Sequence, residues 1–241
     1  MSTGRSYVLT VDFDLLGVKH GDVMLDAGCG EGRHSFECIG RGARVLSMDM
    51  DMESIRKARY TLHYMRESGQ AHDDGRYLVQ IGDALNMPFR DETFDKVICS
   101  EVMEHVPDDR QACRELARVL KTGGSIAITV PTFISEMVYD ALTYEYFTSP
   151  GGHIRKYIPR NLAAIMQSCG LEIYAVRFKH SLHTIYWLIR CVVGLHLNDQ
   201  PLTRGYRKFL TLGMNSKLMP KIEDFFDHFF PKSIILYAVK K

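Results

Sequence analysis

What this chain lacks narrows it first. No uninterrupted apolar run reaches the roughly 18 residues that a membrane span needs. The opening stretch MSTGRSYVLTVDFD has no apolar core bounded by basic residues, so no signal peptide is expected. The six cysteines (29, 38, 99, 113, 169 and 191) form no C-x-x-C pair and no zinc-type spacing. They read as free thiols of a reducing compartment, and the expected location is cytoplasmic, with peripheral contact to a membrane as the alternative. The formal charge over 241 residues is only +1, so no broad attraction to nucleic acid is implied and no DNA partner is expected. There is no internal repeat and no low-complexity segment. The length suits one α/β domain with additions rather than two full domains.

The stretch that is present and organises the rest is VMLDAGCGEGRHSF, from Val23 to Phe36. It reads as an apolar strand ending in Asp26, then a loop with Gly28, Gly30 and Gly32, then a helix beginning near Glu31 or Gly32. Alternate glycines remove the Cβ atoms that would hold a ligand off the backbone, and they allow positive φ at a sharp turn. A dinucleotide loop usually reads G-x-G-x-x-G. Here the run is D-x-G-x-G-x-G, and a carboxylate before the first glycine suits an ammonium group better than a pyrophosphate. The pattern therefore favours a nucleoside bearing an amino acid over a nicotinamide cofactor.

Further strands are expected over 43–50, 77–84, 94–100, 125–131, 171–178 and 233–239, and helices after Asp51, over 108–120 and over 160–168. Lys121-Thr-Gly-Gly124 reads as a helix stop, and residues 132–158 read as irregular. Strands alternating with helices imply a doubly wound, mostly parallel α/β sheet, in which ligands bind beyond the carboxyl ends of the strands. Residues 1–21 are expected to form an arm, 22–179 with 231–241 the core, and 180–230 a helical insertion acting as lid or acceptor wall.

Asp49 at the end of strand two is placed to accept hydrogen bonds from ribose hydroxyls, and Asp83 of Gly-Asp-Ala to accept from an adenine amino group while Ala84 offers its N–H. The ordered set of glycine loop, strand-two acid, GDA, FDKVICSEVMEHV and LKTGGSIAITVP over residues 22–131 resembles the class I S-adenosylmethionine-dependent methyltransferases. The resemblance implies a seven-stranded Rossmann-like sheet and S-adenosylmethionine as cofactor. It assigns Asp26, Gly28 and Gly30 to the methionine part, Asp49 and Met50 to the nucleoside, Asp83 and Ala84 to the adenine, and Ser100 to the floor near the methyl group. Arg33, first in its helix, is a candidate for the methionine carboxylate.

Glu101-x-x-Glu104-His105 bears on the reaction. In a helical turn these side chains share one face, and with His153 they make a donor set for a divalent cation such as magnesium. This pattern is similar to metal-dependent O-methyltransferases of ubiquinone biosynthesis and of small-RNA ends. Without a metal, His105 or His153 remains a candidate general base. The insertion, with its single tryptophan in SLHTIYWLIRCVVGLHL and Phe225, Phe226, Phe229 and Phe230 further on, implies an apolar small-molecule acceptor such as a quinone or isoprenoid. O-methylation of such a metabolite is the expectation. Alternatives are RNA methylation and a catalytically silent binding protein of the same fold.

Overall fold

The computed structural model describes residues 9–142, 152–193, 200–213 and 218–241. Residues 1–8 of the expected arm, Pro150 and Gly151 beside His153, and residues 194–199 and 214–217 of the insertion lie outside the described residues. The first half runs β1 (Val23–Ala27), α1 (Arg33–Gly40), β2 (Arg44–Asp49), α2 (Met52–Glu67), β3 (Arg76–Ile81), β4 (Phe94–Ser100), α3 (Asp109–Val119) and β5 (Leu120–Pro131). There follow α4 (Phe133–Leu142), α5 (Pro159–Ser168), β6 (Leu171–Lys179), α6 (Ser181–Val193), α7 (Pro201–Gly213), α8 (Met219–Phe226) and β7 (Ser233–Lys240).

The seven strands form one sheet in the order β3-β2-β1-β4-β5-β7-β6. The first five are parallel, and β7 runs antiparallel to both β5 and β6. The chain leaves β1 toward β2 and β3, then returns to β4 on the other side. That reversal leaves a crevice at the strand tips where a ligand can enter.

Side chains alternate between the two faces with the strand period of two. Leu25, Val97, Cys99, Ile126 and Leu236 pack against α3 and α5 through Leu116 and Leu162. Met24, Ile98, Val45 and Tyr237 pack on the opposite face against α1 and α2. Val11, Phe13 and Leu16 of the N-terminal segment join this second layer, and the Tyr237 hydroxyl accepts the Asp12 N–H at 2.8 Å. Val11, Phe13 and Leu16 thus fasten this segment to the core.

Two local expectations change. Lys121-Thr-Gly-Gly124 does not cap α3: Leu120 is already extended, and the four residues belong to β5. Pairing with β4 jumps from Phe94–Leu120 to Lys96–Ser125, a bulge that Gly123 accommodates at φ 76°. The stretch read as irregular contains α4, whose Phe133, Ile134, Met137 and Val138 face outward, so no core-directed helical stripe marks it. All six cysteines are free thiols, five of them buried. Among the described residues no helix is long and apolar enough to cross a membrane.

Candidate active site

The helix caps show where the fold leaves room for a ligand. Asp51 caps α2 by accepting the N–H groups of Glu53 and Ser54, and Asp108 caps α3 by accepting that of Gln111. The α1 cap is Gly32, at φ 91°, with no side chain to accept from the first turn. Helix starts without an internal cap direct their N–H groups outward. Before it, the chain bends at Gly28 (φ 72°), where an added Cβ would meet Val102 Cγ2 at 2.1 Å. No other residue type lets the loop lie there.

A cleft of about 800 Å³ opens at this point. Gly28, Gly30, Asp49, Met50, Asp83, Ala84, Ser100, Glu101 and His105 all line it, as does Arg33. Asp49 Oδ2 accepts the Gly30 N–H at 2.7 Å and Oδ1 accepts the Asp51 N–H at 2.9 Å, so this carboxylate fastens the tip of β2 to the glycine loop. Asp83 accepts the Leu85 N–H at 2.8 Å and sits in a tight turn with Asn86. Met50 is 68% exposed, at the rim.

Asp26 is placed differently. It is buried behind the loop and does not line the cleft; Oδ2 accepts the Ser35 hydroxyl at 2.6 Å, and Oδ1 has no hydrogen-bond partner. Burial pushes its pKa up to about 6 despite the Ser35 hydroxyl and the nearby Arg33 charge.

On the floor, Ser100 Oγ lies 3.0 Å from Thr129 Oγ1 and receives an Arg33 N–H at 3.4 Å. The next residue, Glu101, has φ 57°, a left-handed conformation that a non-glycine residue adopts at some cost. Its carboxylate is held by the Thr129 hydroxyl at 3.0 Å and by Lys232 Nζ at 3.3 Å. Burial raises the Glu101 carboxyl, but Lys232 and Thr129 outweigh it and hold the pKa below the ordinary value.

The turn after Glu101 is braced by Arg155, which donates to the carbonyls of Met103, Val106 and Pro107. It carries Glu104 and His105 to His153: one ligand-type atom of each lies within 4.8 Å of the others. Glu101 is not in this group, so three of the four residues of the expected donor set come together and the fourth is turned to Lys232. Glu104 is buried, and neither carboxylate oxygen has a hydrogen-bond partner. Burial and the Glu101 charge beside it push its pKa well above the usual carboxylate range. The His105 and His153 rings stand edge to face, 4.7 Å apart, and His153 Nδ1 donates to Glu136 Oε2 at 2.7 Å.

Glu136 and Lys232 were not found by sequence reasoning. They lie on α4 and just before β7, 35 and 131 residues beyond Glu101, and no local motif marks either of them. Only the closing of the sheet brings them to the site.

Residues 25–128 match the family model described as a methyltransferase domain. The chain is 32% identical over 209 residues to a ubiquinone biosynthesis O-methyltransferase of Pseudomonas aeruginosa, covering 84% of this chain and 79% of that one. It is 29% identical over 164 residues to methyltransferase GfsG of Streptomyces halstedii, spanning 56% of that protein's length. It is 40% identical over 114 residues to a sterol 24-C-methyltransferase of Eremothecium gossypii, spanning 29% of its length and 46% of this chain. A solved structure from Methanosarcina mazei, a SAM-dependent methyltransferase, superposes with a TM-score of 0.64 at 18% identity over 96% of this chain and 99% of that one, which shows the shared fold.

Proposed function

The chain belongs to the family of S-adenosylmethionine-dependent methyltransferases, and we propose that it methylates an oxygen atom of a small, apolar metabolite. The site fits that cofactor on two counts: an uncapped helix start at the glycine loop, and Asp49 and Asp83 at neighbouring strand tips. In this reading Asp49 takes the ribose hydroxyls and Asp83 with Ala84 the adenine, with Met50 flanking them at the rim. The loop Gly28–Gly30 holds the methionine part, with Asp26 behind it as a balancing negative charge and Arg33 on the carboxylate. Ser100 forms the floor.

Bound S-adenosylmethionine supplies a methyl group on a sulfonium, which is already a good leaving group. The work left to the chain is to align the acceptor, exclude water and receive the acceptor's proton. His153 suits the last task. With Nδ1 donating to Glu136, the lone pair sits on Nε2, on an imidazole oriented by a buried carboxylate. His105, edge-on to it, lines the cleft itself.

The observation that carries the apolar acceptor is a second cavity of about 470 Å³, bounded by Phe133, Val138, Phe178, Phe229 and Phe230. It shares α4 with the site: Glu136 on that helix meets His153, while Phe133, Ile134 and Val138 line the cavity. A substrate with a reactive head and a greasy tail matches a polar cleft and an apolar cavity set on one helix. The exposed aromatics around it also supply a surface for peripheral membrane contact.

Glu104 favours a second reading of the proton step. A buried carboxylate with both oxygens unpartnered, beside two imidazoles, is a donor set for a divalent cation. Glu104, His105 and His153 would hold the ion, which would lower the pKa of an acceptor hydroxyl.

A methyl-labelled donor and phenolic acceptors with progressively longer isoprenoid tails test the proposal. KM is expected to fall as the tail lengthens; indifference to the tail would remove the apolar-acceptor reading. Loss of turnover on chelation and in Glu104→Gln is the expected result if a cation is used. Turnover that survives both would leave His153 as the base.

A further inference from the structure

Among the described residues, one other cluster of unsatisfied polar atoms lies outside the cleft, at the root of the insertion. His180 ends the stretch after β6, His183 is in the first turn of α6, and Glu223 is on α8. His180 Nδ1, His183 Nδ1 and Glu223 Oε1 are each buried without a hydrogen-bond partner. The two imidazole nitrogens lie 3.9 and 3.8 Å from the same Glu223 oxygen, and all three atoms are within 4.8 Å of one another. Three orphaned polar atoms gathered at one point is an arrangement that folding alone disfavours, because each gives up water and gains no hydrogen-bond partner.

His180 shows that the arrangement is held against local preference. Its backbone is left-handed, φ 73°, and its side chain is only 8% exposed. Nε2 lies 3.0 Å from the Thr10 hydroxyl. If Nε2 donates there, the lone pair is on Nδ1, the nitrogen that faces His183 and Glu223. A ligating histidine whose second nitrogen is fixed by an outer hydrogen bond is the usual form of a metal site.

The neighbouring cations are engaged elsewhere. Lys179 Nζ bonds Asp224 at 2.6 Å, and Lys232 is on Glu101. Asp227, one turn beyond Glu223, accepts the Ser181 N–H at 2.8 Å through Oδ1 and so fixes the start of α6 against α8. Its Oδ2 is 4.0 Å from Lys179 Nζ and makes no hydrogen bond.

We propose that His180, His183 and Glu223 form a binding site for one zinc ion, separate from the cleft, that ties both ends of the insertion to the sheet edge and, through Thr10, to the N-terminal segment. Two imidazoles and one carboxylate suit zinc among the common divalent ions. Tetrahedral zinc at bonds of about 2.0–2.1 Å needs donor atoms roughly 3.3 Å apart, so each imidazole closes on the Glu223 oxygen by about half an ångström on binding. A water, or Asp227 after a side-chain rotation, completes the coordination. The proposal does not depend on the acceptor or on the methyl-transfer reading.

The test uses the full chain stripped by a chelator, with zinc and cobalt(II) as the probes. In Glu104→Gln, which removes the carboxylate of the donor set in the cleft, one equivalent of zinc is expected to bind at micromolar or tighter affinity and raise the melting temperature. Cobalt(II) should give the intense visible bands of a tetrahedral nitrogen and oxygen site. In the Glu104→Gln background, His183→Gln and Glu223→Gln should each weaken zinc at least 100-fold and abolish those bands. The cobalt spectrum of Glu104→Gln decides the matter even if the insertion variants fold poorly. Absence of the tetrahedral bands there, or zinc binding that survives both insertion variants, overturns the site.

Discussion

The cleft at the strand tips and the insertion from 180 to 230 are built on opposite principles. In the cleft, carboxylates are held by directional partners: Asp49 by the Gly30 and Asp51 N–H groups, Asp83 by that of Leu85, and Glu101 by the Thr129 hydroxyl and the Lys232 ammonium. Charge-assisted bonds of this kind fix geometry to a fraction of an ångström. In the insertion and the turn after it, Phe209, Phe225, Phe229 and Phe230 are all at least 50% exposed. An exposed aromatic surface is permissive, since it favours any apolar partner that covers it. The difference teaches that binding a fixed nucleoside demands directional contacts, whereas choosing an apolar acceptor needs area and shape.

The sharpest way to break that comparison is Asp49→Ala. The side chain accepts two backbone N–H groups and lines the cleft, so its loss loosens the loop and removes a ligand contact together. S-adenosylhomocysteine affinity measured by calorimetry should fall on the order of 1,000-fold, about 4 kcal/mol for two charge-assisted bonds. A fall of less than tenfold would show that the cleft is as tolerant as the insertion.

Asp26 sharpens the same contrast through pH. Its pKa is raised from 3.8 in the free residue to about 6 in the fold. The folded chain therefore binds this proton more tightly than the unfolded one. The stabilisation is complete below about pH 4 and is lost as the pH rises through about 6. Asp26→Asn has no such titration. Against that variant, wild type should gain about 1.4 kcal/mol of unfolding free energy between pH 7.5 and pH 5, read by urea denaturation. An equal pH response in both proteins would mean that the carboxylate is solvated.

What could be read from the sequence follows the same division. Asp49 and Asp83 were legible as cleft-lining residues because each ends or closely follows a strand in the chain, whereas the burial of Asp26 behind the glycine loop was not. Glu104, His105 and His153 were legible as a set, but the turning away of Glu101 was not. That depends on Lys232, brought in by β7, and on a left-handed backbone at Glu101. Helix α4 was hidden because its apolar residues face an exterior cavity, leaving no stripe toward the core. The run Lys121-Thr-Gly-Gly124 carries a helix-stop composition, yet the same glycine serves a β-bulge, and only the pairing with β4 decides between them.

The smallest effect is also the most selective. Phe229 and Phe230, 58% and 63% exposed, border the apolar cavity and contribute little to the folded core. Replacing both with serine should leave the melting temperature unchanged and S-adenosylhomocysteine affinity within twofold of wild type. An acceptor tail that covers about 50 Å² of ring surface gains about 1.3 kcal/mol. The variant should therefore raise KM for a long-tailed acceptor five- to tenfold and leave a tailless phenol unaffected. Equal losses for both acceptors would place these rings on the path of every substrate. A loss of cofactor affinity would tie the insertion mechanically to the strand tips, and the two regions would then have to be treated as one.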